Sequence, residues 1–177
     1  NLVSLEPGFD PESVRRGEVG AVINFSNQHL ASTIDSYARS SRLGIPLLVS
    51  LDIVHGYRTV LPLPIGMAAS FDPGLVRRAT AAAARESFAV GVNWSFAPMA
   101  DVARDLRWGR VVEGLGEDAW LTGQLTAAQV EGFRDGGIAS TLKHFAGYSA
   151  VYGGRDYDVT WVPPTELYDT YLPPFRD

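Results

Sequence analysis

The stretch Phe96-Ala97-Pro98-Met99-Ala100-Asp101-Val102-Ala103-Arg104-Asp105-Leu106-Arg107-Trp108-Gly109-Arg110-Val111-Val112-Glu113-Gly114 decides the fold. An apolar run, Trp94 to Met99, reads as a buried strand. It gives way at once to a loop crowded with Arg, Asp, Glu, Gly and Trp. A barrel of parallel strands presents polar groups in this way, on loops at the C-terminal strand ends. The same arrangement recurs at Leu47–His55 and at Ile138–His144.

Outward from that stretch, strands and helices alternate. Val19–Phe25 is apolar and β-branched, which predicts a strand. His29–Arg42 carries Leu30, Ile34, Tyr37 and Ala38 at the spacing of one helical face, with Gly44 as its stop. Ile45–Leu51 predicts a second strand, followed by a long loop from Asp52 to Ala69. Asp72-Pro73 is a helix start, with Asp as N-cap and Pro in the first turn. The alanines at 81–84 carry that helix toward Gly91. Trp94–Met99 is the third strand, Asp118–Arg134 a third helix, Ile138–Leu142 the fourth strand, and Glu166–Leu172 the start of a fourth helix.

Such alternation implies an α/β fold with a parallel sheet covered by helices. About four βα units fit either half of a TIM-type (β/α)8 barrel or a small open sheet. Polar residues gathered after the strands favour the half barrel. The expected organisation is one domain over residues 1–177, part of a larger barrel, with no second domain present.

Composition narrows the function classes. The chain has 177 residues and a net charge of -5, and no Lys/Arg run that would mark a nucleic-acid or anionic-membrane surface. No apolar run approaches the ~20 residues of a membrane span. The absence of cysteine excludes disulfides and thiolate metal sites. The histidines, His29, His55 and His144, lack metal-ligand spacing, so neither metal nor cofactor is expected. The N-terminus shows no basic start leading into an apolar stretch, so no signal peptide is visible. Pro173-Pro174-Phe175-Arg176-Asp177 does not read as a finished end.

In a parallel βα structure the C-terminal strand ends share one face. Asp52 and His55 follow the second strand; Arg104, Asp105, Arg107 and Arg110 the third; Lys143 and His144 the fourth. A carboxylate, guanidiniums, an ammonium and an imidazole, ringed by Trp and Tyr, form a set suited to polyols. The carboxylate accepts from neighbouring hydroxyls, Arg and Lys donate, and His does either. His55, beside Gly56, is expected to hold its loop. One of Arg107 and Arg110 binds ligand while the other pairs with Asp101, Asp105 or Glu113. Glu113, Glu117 and Asp118, just before a helix, are expected to complement its dipole. His29 is expected to have no chemical role.

Three separated motifs resemble the N-terminal catalytic domain of glycoside hydrolase family 3, in particular its bacterial β-glucosidases. They are Leu51-Asp52-Ile53-Val54-His55-Gly56-Tyr57-Arg58, then Phe96–Met99 with Arg107–Asp118, then Lys143-His144-Phe145-Ala146-Gly147-Tyr148. Gly153-Gly154-Arg155-Asp156-Tyr157 and Tyr171–Phe175 extend the likeness. The resemblance implies a barrel, a retaining double displacement, and hydrolysis of terminal β-D-glucosyl residues, with β-xylosidase activity or a non-catalytic carbohydrate-binding role as alternatives. It implies that Asp52, Arg58, Arg110, Lys143, His144 and Arg155 hold the sugar, and that Arg107 is scaffold. The partner it implies is a small oligosaccharide or aryl β-glucoside, with the rest of the barrel, or oligomerisation, completing the fold. A periplasmic or secreted location is favoured over a cytoplasmic one. The family's nucleophile segment, Ser-Asp-Trp-like, does not occur in these residues, and its general acid usually comes from a second domain. No catalytic residue is therefore expected here, and the chain alone is expected to be inactive. The N-acetylglucosaminidase branch is disfavoured, because no histidine follows His144.

Overall fold

The computed structural model describes residues 2–4, 9–24 and 28–177. Among the described residues five parallel strands form one sheet in chain order: β1 (Leu2–Ser4), β2 (Ala21–Ile23), β3 (Leu48–Leu51), β4 (Trp94–Ser95) and β5 (Ala139–Ser140). Each strand pairs only with its sequence neighbours, in a register such as Val22↔Val49 and Ser50↔Trp94. A doubly wound sheet reverses its strand order at a switch point. This sheet has no reversal, and its monotonic winding is the arc of a βα barrel. The four expected strands are present, joined by β1. Three residues are too few for period-two alternation to mark β1 in the sequence. Phe25, the last residue of the expected first strand, lies outside the described residues.

The helices follow the capping signals. Helix α1 (Pro11–Arg15) is capped by Asp10, and α4 (Pro73–Phe88) by Asp72, whose carboxylate accepts from Leu75 N–H. Asp118 does the same for α5 (Ala119–Asp135) through Leu121 N–H at 2.7 Å. Helix α2 spans Gln28–Ser40; the side chain of His29 lies outside the described residues. The long loop after β3 contains an unforeseen short helix, α3 (Pro64–Ala68), that opens on Pro64 and has no side-chain cap. The expected fourth helix is divided: α6 (Pro164–Glu166) runs into a wider turn closed by Leu172 N–H to Leu167 C=O. A new turn, α7 (Pro173–Arg176), then starts on a proline pair whose first members need no N–H partner.

The main core lies between sheet and helices: Val22, Val49 and Val92 pack with Ile34, Ala84, Phe133 and Ile138. Helices α4 and α5 approach closely. A Cβ on Gly132 would stand 2.6 Å from Arg77 O and 2.7 Å from Thr80 Cβ, so only glycine fits there. Arg77 ties the same pair together by bonding Glu131 and Asp135. A smaller cluster, Met99, Trp108 and Val151, sits under the C-terminal strand ends. No helix among the described residues is long and apolar enough to cross a membrane.

Candidate sugar-binding site

Local backbone structure delivers each site residue to the same end of the sheet. Asp52 is the first residue past β3. Beyond β4 the chain stays alongside the continuation of β5: Met99 bridges Lys143 in parallel fashion, and Ala100 N–H donates to Lys143 C=O at 2.7 Å. That rung carries Lys143 to Asp52, whose Oδ1 accepts from Lys143 Nζ at 2.5 Å across 91 residues of sequence. Lys143 is nearly buried, its side chain 12% exposed, whereas the Asp52 side chain is 49% exposed. Asp52 therefore keeps Oδ2 open to a ligand.

The loop after β4 is folded on itself. Asp105 accepts from both the backbone N–H and the guanidinium of Arg107, and those donors hold its carboxyl down at about 2. Arg107 thus spends its charge on the loop, well exposed to solvent. Arg110 is different. Its Nε and Nη2 donate side-on to the two oxygens of Glu113, at 2.8 and 2.9 Å, across the turn Val111–Glu113. The guanidinium holds the Glu113 carboxyl below its ordinary value, with smaller help from the charge of Lys143. The same guanidinium also interacts with Tyr148, its Cζ lying 5.7 Å from the centre of that ring. Of the two expectations for Glu113, the arginine partnership holds and the helix-dipole role does not, since it precedes α5 by too many residues and turns toward Arg110.

Trp108 is 2% exposed and belongs to the scaffold. Its Nε1 donates to Asp156 Oδ1 at 2.8 Å, and Tyr148 OH donates to the same oxygen. These two donors lower the Asp156 carboxyl, while burial and the carboxylate raise the Tyr148 phenol. The turn bearing Asp156 lies against Trp108 at Gly154, where φ is +70° and a Cβ would stand 2.9 Å from Trp108 N. His144 is held from below: its backbone N–H and its Nδ1 both meet Asp101 Oδ2, at 2.9 and 2.8 Å.

An open cleft of about 590 Å³ results, with Asp52, Arg110, Glu113, Lys143, His144 and Asp156 among its walls. Four of the six sequence-derived candidates, Asp52, Arg110, Lys143 and His144, line it together. Arg58 and Arg155 do not. The N–H of Arg58 bonds Glu86 on α4 at 3.1 Å, and its charge acts on that carboxylate. Arg155 pairs with Asp158 at 2.8 Å. His55 holds its loop, where Leu61 N–H donates to His55 C=O at 2.9 Å. Glu113, foreseen only as an arginine partner or a dipole residue, and Asp156 are further wall residues. Among the described residues no group of three or more acidic or histidine side chains could hold a metal ion.

The profile of the glycosyl hydrolase family 3 N terminal domain matches residues 9–177. The chain belongs to this family. It is 37% identical over 186 aligned positions to a periplasmic β-glucosidase of Salmonella typhimurium, covering 99% of this chain and 24% of that protein. A β-xylosidase of Formosa agariphila is 30% identical over 168 positions, 85% of this chain and 23% of the relative. The crystal structure of a Listeria innocua β-glucosidase in complex with glucose superposes with a TM-score of 0.88 at 34% identity, covering 98% of this chain and 28% of that one. The family 3 chain therefore spans about a quarter of the length of these relatives. The names of these relatives are those of glycosidases, and the Salmonella protein is named as periplasmic.

The pairing of Arg110 with Glu113 has a measurable pH signature. Because the folded-state carboxyl of Glu113 is depressed, its stabilisation is fully present above 4.5 and is lost as pH falls through the lower folded value. The stability gap between wild type and Glu113→Gln, from denaturant unfolding, should be widest near neutrality and close progressively in acid. A gap that widens in acid would refute the ion-pair assignment.

Proposed function

We propose that this chain supplies the sugar-holding part of a retaining β-glycosidase that removes terminal non-reducing β-D-glucosyl residues. The observation that carries the proposal is the convergence of Asp52, Arg110 and Lys143 on one cleft that offers both acceptor and donor edges. Asp52 Oδ2 suits two neighbouring hydroxyls, and the Arg110 guanidinium and the Nε2 of His144 suit others. Arg58 and Arg155, outside the cleft, serve at most its rim. Retention needs a nucleophile and an acid about 5–5.5 Å apart. We assign both to residues beyond this sequence, in the rest of the barrel and a second domain. The remaining barrel units would also cover exposed aromatic residues such as Phe145 and Tyr168. The likeness to a periplasmic relative favours a periplasmic location.

Glucose is the leading substrate sugar. The 30% identity to a β-xylosidase favours xylose as the second. The test compares aryl β-glucoside with aryl β-xyloside, using these 177 residues and the longer polypeptide that includes them. Expected are no turnover by the short chain and hydrolysis with net retention by the long one, followed by NMR of the first-formed sugar anomer. Full-rate turnover by the short chain, or inversion by the long one, would discard the proposal.

A further inference from the structure

The acidic side chain most deeply set beneath the site is Asp101, and sugar contact is not its role. Its side chain is fully buried. One oxygen, Oδ2, takes two donors from a single residue, His144: the backbone N–H at 2.9 Å and ring Nδ1 at 2.8 Å. The other, Oδ1, is buried without a hydrogen-bond partner among the described residues. Burying a carboxylate with half its acceptor capacity unused is unfavourable, and such a group in a folded protein calls for a reason.

We infer that Asp101 is a positioning residue that fixes the tautomer and ring direction of His144. An ionised carboxylate only accepts, so Nδ1 must carry a hydrogen. In the neutral ring the lone pair then resides on Nε2, the nitrogen with no protein partner among the described residues, on a ring that lines the cleft. The backbone N–H to the same oxygen prevents the ring and its own main chain from moving apart. His144 thereby becomes a directed acceptor next to two donors, Lys143 and Arg110. A sugar hydroxyl that accepts from one of them can donate to His144. The inference deepens the glycosidase proposal and rests on it for the identity of the ligand, though the tautomer assignment does not.

The test uses the complete glycosidase and reads the two questions separately. In protein labelled with ¹⁵N-histidine, and with His144→Ala to assign the signals, His144 of the wild type should show a protonated Nδ1 and a bare Nε2 at alkaline pH. Asp101→Ala should move it toward the Nε2–H form. A wild-type ring protonated on Nε2 overturns the inference whatever the enzyme hydrolyses. Kinetics supply the second reading. Asp101→Ala should lower kcat/KM about 10–100-fold, the usual effect of losing such a supporting carboxylate. Asp101→Asn, whose amide oxygen can replace Oδ2, should restore it to within a few-fold. In a His144→Ala background, Asp101→Ala should add almost nothing. An equal loss with His144 absent would mean that Asp101 serves packing alone. If Asp101→Ala does not fold, Asp101→Asn decides: a loss as large as that of His144→Ala overturns the inference. An inert glucoside paired with the expected tautomer would discard the proposed activity and keep the role of Asp101.

Discussion

Asp52→Ala is expected to lower kcat/KM on an aryl β-glucoside by two to three powers of ten, about 3–4 kcal/mol of transition-state stabilisation. Two losses combine. The substitution deletes the carboxylate proposed to receive two sugar hydroxyls, whose charge-assisted bonds are worth roughly 1.5–3 kcal/mol each. It also strips Lys143, nearly buried, of its ion partner. An ammonium deprived of its partner away from water must reorganise, and the donor it offered to the sugar is displaced with it. Asp52→Asn keeps the shape and one acceptor, so its loss should be smaller, on the order of tenfold. Thermal unfolding of each variant separates misfolding from lost binding. An Asp52→Ala enzyme that folds and retains its kcat/KM would remove Asp52 from the site.

The second large effect concerns stability. Trp108→Ala should destabilise the protein by about 3–5 kcal/mol, the usual consequence of emptying a buried aromatic position. The indole is 2% exposed and packs with Met99, Val151 and, edge-on at 5.2 Å, Tyr148. Little can collapse into the space, because the Gly154 turn already touches the Trp108 backbone. Trp108→Phe keeps an aromatic ring but loses the bond to Asp156 and part of the indole volume, so about 1–3 kcal/mol is expected from denaturant unfolding. A Trp108→Ala protein as stable as the parent would show that the residues beneath the cleft are not a cooperative part of the core.

Most of the architecture was legible because it rests on local signals. Asp72-Pro73 announces a helix start through a side-chain cap, and that cap forms; Asp118, expected as the first helical residue, stands one place before the helix and caps it. Strand lengths were less legible. Trp94–Met99 reads as one strand, yet only Trp94–Ser95 lies in the ladder. Pro98 has no N–H to donate, and pairing resumes as a single bridge at Met99. Likewise Pro46 precedes a strand that begins only at Leu48. In the site, the strand-end rule alone brought Asp52, Lys143 and Arg110 to one face. It could not foresee that Arg155 pairs with Asp158 or that the main chain at Arg58 bonds Glu86, since those choices depend on tertiary neighbours. Nor could it choose between the two readings of Glu113, arginine partner or dipole residue of α5. That distinction rests on the tight turn Val111–Glu113, which only the folded loop reveals.

The pairing of Lys143 with Asp52 and of Arg110 with Glu113 has a consequence for selectivity. Both permanent cations of the cleft are already neutralised by acids of the protein itself. A free anion arriving there meets no unspent positive potential, and a counterion shell has little to screen. What the mouth still offers is directional: open edges of polar groups with fixed orientation. In the proposed glycosidase, discrimination then falls on the stereochemistry of an uncharged guest, one hydroxyl against another, and bulk salt becomes a bystander.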